Sequence, residues 1–168
     1  MHLVTYEIIV RAALVRIGAT LLMDLWGALL KRGFGVPTLN YAMVGRWLGH
    51  MCSGRFIHAS ITAAPPLAGE QVIGWVAHYA IGIMFAAVVI AVFGVEWARQ
   101  PSLGPALAVG VATVIAPFFL MQPGMGLGVA ASRTPSPNAA RLRSLATHAV
   151  FGIGLYGSAW ALARMFPS

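Results

Sequence analysis

Four long apolar stretches, separated by shorter segments rich in polar residues and proline, dominate the pattern along the chain. They run from about Ile8 to Leu30, Val72 to Phe93, Gly104 to Gln122 and Leu145 to Ala163. Each is long enough, at ~20 residues, to cross a hydrocarbon core ~30 Å thick as a helix. The pattern predicts an all-α fold: an integral membrane four-helix bundle, one transmembrane domain over residues 1–168. Inside the first stretch lie Arg11, Arg16 and Asp24, and the two arginines are expected to snorkel toward its N-terminal interface.

The connections are unequal. Between the first two spans, Leu39, Met43, Trp47 and Met51 recur at helical spacing, with Arg46 and His50 on another face. This predicts a short amphipathic helix over about 38–51 in the interface plane. Pro65-Pro66 ends that segment, and a turn from Glu96 to Pro101 joins spans two and three. Pro117 predicts a kink in span three. Gly124-Met125-Gly126-Leu127-Gly128 and the Ser-Pro pairs up to Asn138 predict a glycine-rich turn region before span four. The first span is longer than a signal-peptide core, holds Asp24, lacks a small-x-small cleavage site and stops at Lys31-Arg32, so it is expected to be retained.

Composition sharpens this picture. Charged residues make up 9% of the chain and hydrophobic ones 59%, where a soluble domain carries about 25% charged residues. The formal charge is +7, from 11 basic and 4 acidic residues. The basic residues cluster at span ends, where they set topology and meet anionic lipid, and no basic run or nucleic-acid motif is present. Cys52 is the single cysteine, which excludes an intramolecular disulfide and argues against a thiolate metal cluster. Lys31, Arg32, Arg46, Arg55, Arg133, Arg141 and Arg143 follow spans one and three. The positive-inside rule then places both long loops in the cytoplasm and both termini outside, in a bacterial-type inner membrane.

The two halves share short motifs. Leu22-Met23-Asp24 and Leu120-Met121-Gln122 lie late in spans one and three. A His-x-x-x-Gly-Ile motif occurs early in spans two and four, from His78 to Ile83 and from His148 to Ile153. These suggest two repeated helical hairpins. With a rise of ~1.5 Å per residue, Asp24, His78 and His148 lie about 8–12 Å from the charged residues bordering the loop side. Gln122 closes span three at the same end, so one polar residue from each span reaches a similar depth.

Such groups are costly in a membrane and mark sites, yet they also serve simply as interhelical hydrogen bonds. Three site-based readings stand beside that packing role and beside a part as structural subunit of a larger membrane complex. Asp24, His78, Gln122 and His148 suit ion- or proton-linked passage of a small solute. A homo-oligomer would widen the thin pathway, and the small-residue pairs Ala106/Gly110 and Gly154/Ser158 offer association faces. His78, His148 and Asp24 would suit a transition metal, or the two histidines a b-type haem. In the loops, His50, His58, Ser60, Ser132, Arg133 and Asn138 would serve membrane-surface catalysis or headgroup binding. Lipase-type, phosphate-loop and zinc-protease motifs are absent, which weighs against an enzyme.

Several segments also resemble a known family. They are Gly18-Ala19-Thr20 with Met23-Asp24-Leu25-Trp26, Asn40-Tyr41 through His50, Gly54-Arg55-Phe56 with His58-Ala59-Ser60, and Gly74-Trp75 with His78-Tyr79. Ala116-Pro117 through Gly124, and Ala131-Ser132-Arg133-Thr134-Pro135 with Asn138, complete the set. Over roughly residues 12 to 160 the chain is similar to the bacterial membrane-protein family known as domain of unknown function 2938. The resemblance implies a small multipass membrane protein and supplies no catalytic residues.

Overall fold

The computed structural model describes residues 2–166, and among these every regular element is helical. Helices α1 (His2–Phe34), α2 (Tyr41–Met51) and α3 (Glu70–Arg99) form the first half of the chain. α4 (Leu103–Ala112), α5 (Gln122–Gly124) and α6 (Pro137–Met165) form the second. Four helical stretches are long and apolar enough to cross a membrane: Ala13–Phe34, Glu70–Arg99, Leu103–Gly124 and Pro137–Met165. Their number is the four predicted from the sequence. α3 leaves helical geometry at Gly94 (φ 78, ψ 170), one residue past the predicted end of the second span. Only glycine adopts such a conformation without strain.

The chain divides into two compact units. The first holds residues 2–37, 81–113 and 146–166 of the described chain. Its core is Val15, Ala19, Ala86, Val89, Trp97, Ala106, Phe151, Leu155, Ala159 and Leu162. Small residues set the helix spacing. A Cβ on Gly110 of α4 would lie 2.5 Å from the Gly152 Cα of α6, so these two backbones touch directly. A Cβ on Gly154 would lie 2.8 Å from the Ala19 Cα, and Ser158 lies against Gly18, bringing α6 equally close to α1. The pairs Ala106/Gly110 and Gly154/Ser158, which the sequence offered as association faces, are therefore taken up by packing within this unit.

The repeated motif finds a structural role here. Gly82 meets the Thr20 hydroxyl of α1, and Gly152 meets the α4 backbone at Ala106 and Leu107. In each hairpin the glycine of His-x-x-x-Gly lets the second long helix approach the first. Arg11 finds a partner that the sequence does not indicate: its side chain is buried, 8% exposed, and donates to the Phe166 carbonyl at 2.9 Å. The last carbonyls of a helix lack intrahelical donors, and a guanidinium supplies one while complementing the helix dipole.

The second unit holds residues 38–80 and 114–145. Its apolar centre is Val44, Ile61 and Met125, with Met43, Trp47, Leu48, Ala64 and Met121 packed on it. Asn40 caps α2 by accepting from the Ala42 N–H at 3.0 Å. The buried face of α2 is Val44, Gly45, Arg46 and His50, so the polar residues of this amphipathic helix point into the protein. The sequence pattern had placed them opposite an apolar face without saying what they meet. Their partners, described below, make the inward orientation tenable.

Glycine contacts of the first unit generate a direct expectation. Gly110→Ala or Gly152→Ala forces two backbones apart and should cost ~1–3 kcal/mol. At Gly157 a Cβ meets nothing within 4 Å, so Gly157→Ala should be neutral or stabilising by up to ~1 kcal/mol through helix propensity. Thermal unfolding of the three variants in mild detergent checks the contrast; equal stability of all three would contradict the close packing.

Candidate functional site

The second unit is organised around one ion pair. Gly45 of α2 and Gly74 of α3 lie backbone to backbone: a Cβ on Gly45 would overlap the Glu70 carbonyl, and one on Gly74 the Tyr41 carbonyl. This approach brings Arg46 alongside the first turn of α3. Its Nε donates to Glu70 Oε2 at 2.8 Å and its Nη2 to Oε1 at 2.7 Å, a bidentate pair. Arg46 Nη1 reaches the Ile61 and Ala64 carbonyls at 3.4 and 3.1 Å. Glu70 Oε2 also accepts from the Leu67 N–H at 3.0 Å. One guanidinium thus ties α2, the 3-10 turn Ile61–Ala63 and the start of α3. Its hydrogen bonds to Glu70, and then the attraction of that carboxylate, outweigh the opposing effect of burial and raise its pKa above the ordinary value.

Two histidines extend this network. His50 is buried and donates from Nε2 to the Pro65 carbonyl at 3.0 Å. His58 packs edge-on against it, with ring centroids 5.2 Å apart. Its backbone N–H and its Nδ1 both face the Gly124 carbonyl, at 2.8 and 3.3 Å. A carbonyl only accepts, so Nδ1 carries the proton, and Nε2 is buried with no hydrogen-bond partner among the described residues. Gln122, itself 7% exposed, likewise has an Oε1 with no partner among the described residues. The sequence places His50 and His58 in one set of loop candidates, and the structure packs their two rings together. Arg133 and Asn138 are exposed, with Asn138 Oδ1 accepting from Arg141 at 3.0 Å.

His78 joins an aromatic group. Its Nε2 lies 3.2 Å from the Tyr41 hydroxyl, and its ring stacks with Tyr41 at 4.7 Å, Trp75 at 5.8 Å and Tyr79 at 5.4 Å. Of the four residues predicted at matched depth, His78 and Gln122 belong to this second unit, whereas Asp24 and His148 belong to the first. Asp24 is half-buried on α1. Among the described residues, no three His, Cys, Asp or Glu side chains are grouped so as to hold a metal ion.

His148 has the most defined chemistry in the first unit. Its Nδ1 lies 2.7 Å from Thr113 Oγ1, and that hydroxyl donates to the Gly110 carbonyl at 2.6 Å. A hydroxyl has one proton. Because the carbonyl takes it, His148 Nδ1–H must be the donor to Thr113, which leaves Nε2 as an acceptor. Thr113 is also where α4 ends. Four residues on, Pro117 has no N–H to return to the Thr113 carbonyl. Pro117–Met121 adopts π-helical geometry, closed by a bond from the Gln122 N–H to the Pro117 carbonyl. The predicted kink is thus a longer disturbance, from Thr113 to Met121. Thr113 went unnoticed in the sequence; its spacing of four before Pro117 was the available signal.

The profile of the family described as Protein of unknown function (DUF2938) matches residues 13–162. No curated protein and no solved structure shows significant similarity to the chain.

The Arg46 network predicts strong coupling. Arg46→Gln and Glu70→Gln each leave the partner's hydrogen bonds unmade and should each lower the melting temperature in detergent. The double variant should lose clearly less than the two losses added together. Arg46→Lys should not restore stability, because an ammonium cannot span both carboxylate oxygens and two carbonyls. Strict additivity of the single losses would contradict the bidentate pair.

Proposed function

We propose that this chain, which belongs to the DUF2938 family, is a multipass membrane protein that binds and passes a small cation or proton-donating solute at the break in its third span. The observation that carries this reading is the meeting of an imidazole, a hydroxyl and an interrupted helix at one point. His148 donates to Thr113, and Thr113 ends α4. Four apolar helices support the membrane placement. Irregular backbone within an apolar span is tolerated where it is enclosed by protein or lines a path. π-helical stretches and discontinuous spans recur at functional sites, where unwound carbonyls coordinate cations or protons.

The chemistry at the break favours a donor over an anion. The Thr113 carbonyl lacks its helical N–H because of Pro117, and His148 Nε2 is an acceptor. Both offer lone pairs to a monovalent cation, an ammonium group or a proton. An intramembrane imidazole is also a group able to take up and release a proton as a solute passes. A bacterial inner membrane with both long loops on the cytoplasmic side fits the distribution of Lys and Arg.

The test is flux in vesicles holding a pH-sensitive dye, with an inside-negative potential imposed in sodium, potassium or ammonium salts. The protein should admit protons or one of these cations faster than protein-free vesicles do. His148→Ala should abolish the difference, and Thr113→Val should weaken it about fivefold, the equivalent of a lost intramembrane hydrogen bond of ~1 kcal/mol. Wild-type flux equal to that of protein-free vesicles, or undiminished flux in His148→Ala, would overturn the reading.

A further inference from the structure

The connection between α2 and α3 carries two adjacent large apolar side chains in the open: Phe56 is 59% exposed and Ile57 81% exposed. The backbone holding them is pinned. The Arg55 N–H donates to the His50 carbonyl at 3.1 Å, the Trp47 indole to the Phe56 carbonyl at 2.9 Å, and the His58 N–H to the Gly124 carbonyl at 2.8 Å. Three bonds to two different segments hold the pair in its exposed position, so its exposure does not arise from a loose loop. A fixed apolar tip of this kind is the signature of a contact surface.

Charge identifies the occupant. Residues 38–80 and 114–145 contain Arg46, Arg55, Arg133, Arg141 and Arg143 but a single carboxylate, Glu70, which Arg46 engages. Arg55 is exposed beside the apolar pair. The same unit carries Trp47 and the Tyr41, Trp75, His78 and Tyr79 group, half-buried rings with polar edges of the type that settles at headgroup level. An exposed apolar tip flanked by cationic charge and amphipathic aromatics matches an anionic bilayer surface.

We propose that Arg55-Phe56-Ile57 is a lipid anchor: Phe56 and Ile57 enter the acyl boundary, and the Arg55 guanidinium binds the phosphate of an anionic lipid. This rests on the reading of the chain as a membrane protein, which the experiment tests separately. Ile57→Cys, in a Cys52→Ser background that removes the one native cysteine, carries an environment-sensitive fluorophore. It is placed in nanodiscs, one protein per disc, of phosphatidylcholine with or without phosphatidylglycerol. A second labelled variant, Val92→Cys, probes a side chain of α3 that is 65% exposed.

Both labels should be quenched by nitroxide-bearing lipid and shielded from aqueous iodide. Quenching at position 57 should deepen with phosphatidylglycerol, and Arg55→Gln should remove that dependence. If position 92 is quenched by lipid and position 57 only by iodide, the anchor is refuted and the membrane reading stands. If both respond only to iodide, the membrane reading falls and the anchor falls with it. Lipid quenching at 57 that ignores phosphatidylglycerol, or that needs two proteins per disc, would equally overturn the proposal, the latter in favour of a second copy as the occupant.

Discussion

A chain whose helices are this apolar has few groups with which to pair the charges it buries, and a buried polar group left without a hydrogen bond costs about 1–3 kcal/mol. The features that distinguish this molecule follow from that constraint. Arg46 has to find a carboxylate, and Glu70 is the only one between Asp24 and Glu96. Their meeting requires α2 and α3 to touch at Gly45 and Gly74. The remaining N–H groups of Arg46 then hold the carbonyls of the loop. A connection that would otherwise present bare backbone is folded against the protein by one side chain.

The same constraint acts differently in the third span. Pro117 and Pro123 each remove a backbone donor. The chain answers with a turn at Thr113 and a π-helical segment at Pro117–Met121, which re-pairs part of the ladder one residue further along. Thr113 directs its hydroxyl proton to the Gly110 carbonyl and accepts from His148. The exchange fixes which imidazole nitrogen is protonated. A helical irregularity forced by two prolines is thereby coupled to a titratable group, and the proposed function grows from that coupling.

Much of this was legible in the sequence, for identifiable reasons. The number of long apolar helices follows from hydropathy alone, since such helices need only length and apolar side chains. The His-x-x-x-Gly motif was visible because glycine at a helix contact is a local requirement. Orientation of α2 was not legible: a helix with an apolar and a polar face reads the same whether its arginine meets water or a buried carboxylate, and the Arg46–Glu70 pairing crosses 24 residues. The partner of Arg11 was hidden for a similar reason, since its acceptor is the Phe166 carbonyl at the other end of the chain. Thr113 escaped attention because a hydroxyl carries no hydropathy signal; its role depends on a neighbour 35 residues away.

The break in the third span holds His148 in one tautomer, with Nδ1 protonated toward Thr113 and Nε2 an acceptor. Nitrogen-15 chemical shifts of the imidazole, recorded by solid-state NMR on histidine-labelled protein in lipid and assigned through the loss of signals in His148→Ala, test it directly. The expected spectrum shows a protonated Nδ1 and an unprotonated Nε2 at neutral pH, with the preference lost in Thr113→Val. A proton on Nε2 with Nδ1 bare, or tautomers mixed equally in the wild-type protein, would contradict it.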